Sequence, residues 1–387
     1  MRSRGEDPAL AARFLVRLLF CLFAEDIGLL PDNLFTRLVD QTGQRPAEFA
    51  LLVGQLFRTM STGGYFGVDH IEYFNGGLFA DDQVLNFTTE DLKILLGACR
   101  LDWASVEPAI FGTLFERGFD PDKRAQLGAY YTSRADILLV VEPVVIAPLR
   151  RRWVAVQQQA QTLLEKRDAA RGAERNRHQR AAHQVLLEFA DELAATRILD
   201  PAAGSGNFLY LALRRLMDLE KEAISFALVH GLQAWFPKVG PEQLHGIEIN
   251  PYAHELAQAV VWIGYIQWLR DNGFGRPSPP ILKPLVTIEM TDAIMGYQDG
   301  QPGEPKWTEA EVIIGNPPFL GGKRLRTELG DKYVEDLFRV MTGGYRANRI
   351  WWRTGSKRQR PQSRRGLLTA LGSSQLRRFG EGRTNRF

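Results

Sequence analysis

Sulfur and histidine are scarce in this chain of 387 residues, which has two cysteines, six methionines and six histidines. Cys21 and Cys99 each lie in an apolar helical pattern with no Cys or His nearby, which excludes a disulfide framework and a zinc module and predicts buried free thiols. His178 and His183 are five residues apart in a helical stretch and so on different faces, which argues against shared metal ligation. No charge-free apolar run reaches about 18 residues, so a membrane-spanning helix is not expected. The first residues, MRSRGEDPALAARF, lack the apolar core of a signal peptide, and the expected location is the cytoplasm.

What is present is ordinary globular composition, 45% apolar and 24% charged, at a length that favours two units over one core. The net charge of +3 hides an asymmetry. Residues 341–387 hold 12 Lys and Arg against a single acid, Glu381, so residues 1–340 are mildly acidic. That tail shows neither helical nor strand periodicity. It reads either as a nucleic-acid-binding extension, with Trp351 and Trp352 among its arginines, or as out-of-frame translation of a GC-rich gene. The second reading expects it to be irregular.

The N-terminal third reads as helices. Leu10, Phe14, Leu18 and Leu22 recur every four residues until Gly28 and Pro31 end the pattern, and further helical patterns cover 46–60 and 90–116. Between them lies a Gly-rich stretch whose aromatic residues suggest a packed loop. Residues 150–192 contain one glycine, Gly172, and no proline, which predicts a long helix or a helical hairpin. From residue 196 short apolar runs alternate with helical ones: strands at 197–199, 244–249, 284–290 and 312–314, helices from about 207 and from about 252 to 270. This alternation predicts an α/β fold with a doubly wound, mostly parallel sheet and helices on both faces. Only four strands are assignable, so the sheet reads as incomplete, with the fourth strand uncovered.

Three motifs sit at the ends of these strands. The first is Asp200-Pro201-Ala202-Ala203-Gly204-Ser205-Gly206-Asn207-Phe208, where a strand gives way to a helix. Its glycines permit close approach of a ligand, but Leu209 stands where a dinucleotide fingerprint wants Gly or Ala. Gly315 to Lys323 resembles a P-loop only superficially, with Pro317 in the place of the first glycine. A ligand without phosphates is therefore favoured. The second is Glu248, a carboxylate at a strand end that is suited to accept hydrogen bonds from the two hydroxyls of a ribose; Asp292, after the third strand, is suited to accept one from an adenine amino group. The third is Asn316-Pro317-Pro318-Phe319. Two prolines fix an extended turn without N–H donors, leaving the Asn316 side-chain oxygen and the Pro317 carbonyl to accept both protons of an exocyclic amine, with Phe319 as a stacking face. Such a corner suits a base rotated out of a duplex.

In this order the motifs resemble those of S-adenosyl-L-methionine-dependent DNA amino-methyltransferases of the adenine-N6 type. Gly128-Ala129-Tyr130-Tyr131-Thr132-Ser133 is similar to the lid those enzymes carry over the methionine part of the cofactor, and its place before the glycine loop is the γ arrangement. The stretch from Phe14 to Gly28 is similar to the helical spacer of MmeI-like type II restriction-modification enzymes. The resemblance covers about residues 8–340. It implies a Rossmann-like class I methyltransferase over 106–340, with a helical insertion at 150–192, an all-helical spacer domain over 1–105 and the basic tail over 341–387.

The resemblance assigns Tyr131, Thr132, Ser133, Asp200, Pro201, Ala202, Gly204, Gly206, Asn207, Phe208, Glu248 and Asp292 to S-adenosyl-L-methionine, and Asn316, Pro317, Pro318 and Phe319 to the target adenine. Double-stranded DNA is the implied partner, and no metal or membrane is involved. Against that family the chain is expected to be truncated, without the nuclease domain before the spacer or the target-recognition domain after the methyltransferase. Other readings stay open: a module that binds cofactor or DNA without turnover, or an amino-methyltransferase for RNA or a protein glutamine. A nuclease built on Asp292, Glu304 and Lys306 would need ligands held on rigid elements, whereas Glu304 and Lys306 fall in a Gly/Pro-rich loop.

Overall fold

The computed structural model of the protein describes residues 8–74, 77–79, 81–110, 132–275, 285–298, 300–317, 326–327, 329–340 and 368–371. The lid residues up to Tyr131, together with Pro318, Phe319 and nearly all of the basic tail, lie outside the described residues.

Helix α1 (Pro8–Asp26), α2 (Leu34–Thr42), α3 (Pro46–Thr62) and α4 (Thr89–Ala98) form the N-terminal part. The four-residue spacing in α1 buries Phe14, Leu18 and Leu22, and the intervening Val16, Phe20, Cys21 and Phe23 are buried as well, so the helix is enclosed on most sides. The Gly-rich stretch is packed, as its aromatics suggest: Phe74 and Phe79 are buried, with ring centroids 5.9 and 5.7 Å from that of Phe20. It also carries a small antiparallel pair, β1 (Gly64–Phe66) and β2 (Asp69–Ile71), so the spacer is not wholly helical. Both cysteines are free, Cys21 buried and Cys99 partly so, and burial pushes their thiols up, that of Cys99 to about 11.

A charged side chain sits fully inside this core. Arg17 is fully buried, its Nε donating to Leu78 O at 2.6 Å and its Nη1 to Gln83 O at 3.1 Å, while Nη2 pairs with Asp81 at 2.8 Å. One turn earlier, Arg13 bridges Asp81 (2.9 Å) and Glu255 (2.6 Å). Glu255 belongs to the C-terminal part, so Arg13 ties the two parts together.

Next come α5 (Arg134–Val141), a π-helical turn at Glu142–Ile146, and the antiparallel helices α6 (Ala147–Ala169) and α7 (Gly172–Ala194), the expected hairpin with its break at Gly172. His183 uses Nε2 on Gln233 O at 2.9 Å and His178 lies 3.8 Å from Glu174, so each histidine has a separate role.

The sheet then builds from β3 (Ile198–Asp200), β4 (Leu244–Glu248), β5 (Ile288–Met290) and β8 (Val312–Gly315), all parallel in the order β5-β4-β3-β8. Between β3 and β4 runs α8 (Asn207–Val229), and between β4 and β5 runs α9 (Pro251–Asp271). Alternation along the strands sorts their side chains: Ile198, Leu244, Ile288, Val312 and Ile314 join the main core with α8 and α9, while Leu199, Ile247 and Ile313 face the other way. That second face is covered by Ala293, Trp307 and Ala310 of the connection from β5 to β8. The connection includes a short hairpin, β6 (Gly296–Gln298) and β7 (Gln301–Gly303), and α10 (Asp331–Val340) docks on it through Leu337 against Met295.

The free edge expected at β8 is not seen. Leu368–Leu371, as β9, pairs parallel with it in the register Val312↔Leu368 to Gly315↔Leu371. Over these four residues the tail is therefore not irregular, because Leu-Thr-Ala-Leu satisfies ladder groups that β8 leaves open. Among the described residues no helix is long and apolar enough to cross a membrane.

Candidate active site

Strand order determines where a ligand can sit. The chain moves outward from β3 to β4 to β5 and then returns to the other side of β3 as β8, so the order reverses between β3 and β8. Open α/β sheets bind ligands beyond the carboxyl ends of their strands at this reversal. The glycine loop leaves β3 there, and Asn316 leaves β8 there. Neighbouring strands are about 5 Å apart, which puts the two motifs side by side.

Gly315 brings the corners into contact. A Cβ at this position would overlap Asp200 Oδ1, so only glycine lets the end of β8 come against that carboxylate. Asp200 is fully buried, and its Oδ1 accepts the Ala202 N–H at 3.0 Å. Burial raises its pKa to about 7, since a charge there lacks water and Glu248 adds a like charge. Asp200 Oδ2 and Asn207 Oδ1 are buried acceptors without a hydrogen-bond donor among the described residues. Pro201 and Ala202 form the turn after β3, and Phe208 is buried in the core, so it supports the loop from behind.

The two glycines of the loop do different work. Gly204 has φ 54° and faces open space where a Cβ would be, which leaves room for a ligand. Gly206, at φ 79°, would place a Cβ 2.9 Å from the Ala257 backbone, so its missing side chain permits the close approach of α9.

Glu248 ends β4 beside this loop. Its Oε2 accepts the Gly204 N–H at 2.8 Å and its Oε1 the Asn250 N–H at 2.8 Å, while burial raises its pKa. The backbone N–H of Ile249 also bonds this carboxylate, and with about four acceptor sites on its two oxygens a ribose hydroxyl can still be accepted. Asp292 is more heavily engaged than its sequence position suggests: Oδ1 accepts from Ile294 N (2.7 Å) and Met295 N (3.1 Å), and Oδ2 accepts the Tyr333 hydroxyl at 2.7 Å. Tyr333 is a site neighbour that no sequence motif announced. Glu304 and Lys306 are exposed beyond β7, off the rigid strand ends that a metal centre would require.

Of the lid residues, Thr132 and Ser133 are described. Ser133 caps α5: its Oγ accepts the Asp136 N–H at 3.2 Å and donates to Asp136 Oδ2 at 2.9 Å. The spacing Ser133-Arg-Ala-Asp136 before an apolar run is a capping signature, so this role was readable beforehand. Thr132 reaches the end of β8, where its Oγ1 accepts from Asn316 Nδ2 at 3.0 Å across 184 residues of sequence.

Residues 173–348 match the family described as MmeI, DNA-methyltransferase domain, and residues 9–79 match MmeI, helicase spacer domain. The chain is MmeI-like. DNA methyltransferase A of Bacillus subtilis (strain 168) is 28% identical over 344 residues, covering 85% of this chain and 36% of the relative. The solved type IIL restriction-modification enzyme MmeI in complex with DNA superposes with a TM-score of 0.71 at 25% identity, covering 92% of this chain and 46% of that one. This MmeI-like chain thus spans less than half the length of either.

Proposed function

We propose that the chain is the methyltransferase part of an MmeI-type restriction-modification system and transfers a methyl group from S-adenosyl-L-methionine to the N6 amino group of adenine in DNA. The observation that carries this reading is the meeting of the Asp200 loop and Asn316 at the sheet's reversal, with Gly315 against Asp200. The cofactor's chemistry fits what the loop lacks: its ammonium and ribose hydroxyls are donors, and Asp200 Oδ2, Asn207 Oδ1 and the spare lone pair of Glu248 are acceptors.

When bound, S-adenosyl-L-methionine supplies a methyl group on a sulfonium, already a good leaving group. The protein's task is then positioning and charge compensation. Asn316 Oδ1 and the Pro317 carbonyl accept the two amine protons, which holds the nitrogen lone pair toward the methyl carbon. The Asp200 loop and Glu248 would hold the cofactor so that its methyl carbon passes to the amine and its sulfur retains the bonding pair. The charge developing on nitrogen is met by the two acceptors until a proton leaves to water. Pro318 and Phe319 keep their expected parts as turn and stacking face on the strength of the motif.

The test is transfer of a labelled methyl group from S-adenosyl-L-methionine to mixed-sequence duplex DNA, followed by nucleoside analysis. The reading predicts N6-methyladenine, reduced at least about 100-fold by Asn316→Ala. Label on cytosine, or equal transfer by the Asn316→Ala protein, contradicts it.

A further inference from the structure

A primary amide is nearly symmetric in shape, and rotation about the last side-chain bond of Asn has two broad minima that exchange its oxygen and nitrogen. For Asn316 the difference is decisive. Resting on the methyltransferase reading above, the target amine presents two N–H donors. Oδ1 facing it accepts one of them, whereas Nδ2 in the same place sets donor against donor and loses the contact.

The backbone on either side of this amide is held. Behind Asn316, Gly315 abuts Asp200, and the β3–β8 ladder pairs Ile198 with Val312 and Leu199 with Ile313. Behind Thr132, Ser133 caps α5 through Asp136. The side chains of these two anchored residues meet, with Asn316 Nδ2 donating to Thr132 Oγ1 at 3.0 Å. Because Oδ1 and Nδ2 branch from one planar carbon, anchoring the nitrogen on Thr132 directs the oxygen the other way.

We propose that Thr132 is a positioning residue, which anchors Asn316 Nδ2 so that Oδ1 faces the exocyclic amine of the target base. This differs from the cofactor contact that the lid resemblance implies for Thr132. It also explains why a lid residue lies at the catalytic corner: the segment before α5 and the end of β8 are locked by one side-chain hydrogen bond.

The experiment uses the full chain as wild type, Thr132→Val and Thr132→Ser, with two readouts. The first is the side-chain amide signal of Asn316 in protein labelled with ¹⁵N-asparagine, assigned by its loss in Asn316→Ala. Thr132→Val should shift the Asn316 amide protons and speed their exchange with water, and Thr132→Ser should leave them as in wild type. The second is methyl transfer beside cofactor affinity. Thr132→Val should lower kcat about 100-fold while the Kd for S-adenosyl-L-methionine stays within about twofold, with Thr132→Ser restoring most of the rate.

Amide protons unchanged in Thr132→Val overturn the proposal whatever the activity. So does a loss that appears in cofactor Kd, which would make Thr132 a cofactor ligand, or a Thr132→Ser protein as slow as Thr132→Val, which would make the role one of packing. Should wild type transfer no methyl group while its amide responds as predicted, the functional reading fails and the anchoring of Asn316 by Thr132 stands.

Discussion

At the scale of single residues, the site is built from carboxylates placed where charge is costly. Asp200 is the clearest case, with a pKa raised to about 7 by burial. A carboxyl whose folded pKa lies above its unfolded value stabilises the fold fully below the unfolded value, near 4. That stability is lost as pH climbs to about 7. Urea unfolding of wild type from pH 4 to 8 should therefore show a decline, on the order of 4 kcal/mol at most, that is missing from Asp200→Asn. A wild-type minus Asp200→Asn difference that is independent of pH would contradict this. The residues of the motifs were legible because their types have few other uses at a strand end: paired prolines after Asn316, and Gly204 and Gly206 after Asp200. Their partners were not legible. Nothing local to Thr132 points to Asn316, nothing in the sequence around Tyr333 points to Asp292, and Arg17 sits in an apolar helix like any snorkelling arginine, although it is fully buried.

At the scale of elements, periodicity located most helices and strands, but the helix expected over 90–116 ends at Ala98 and α2 was not foreseen, since a short helix gives few turns of repeat to read. What it could not supply was the reason for each glycine. Gly264, within α9, is an example: helix propensity alone favours alanine there by about 1 kcal/mol. Its missing side chain instead admits the ring of Tyr210 from α8, and a Cβ would overlap that ring. Gly264→Ala should thus destabilise the protein by about 1–3 kcal/mol, as overpacking does, and lower the thermal midpoint. A rise in that midpoint would show that α8 and α9 are not packed this closely. The strand at Leu368–Leu371 was missed for a related reason: four residues in an arginine-rich stretch give no period to read, and only the open ladder of β8 makes them a strand.

At the scale of the whole molecule, the helical part and the sheet share one core, and Arg13 joins them by bridging Asp81 and Glu255. Glu255 lies in the first turns of α9, seven residues after Glu248, so the N-terminal part braces the helix that follows the end of β4. The passage from helices to a parallel sheet was legible from the change of period near residue 196. The bracing was not, since it joins residues 242 apart. The proposed activity requires the ends of β3 and β4 to form the cofactor pocket. Calorimetric titration of S-adenosyl-L-methionine into the full chain tests this most directly. Saturable one-to-one binding is predicted for wild type and for Asn316→Ala, with a loss of at least about tenfold in affinity for Glu248→Ala, whose carboxylate makes the charge-assisted bonds. No saturable binding to the folded wild-type chain, or equal affinity in Glu248→Ala, would contradict it.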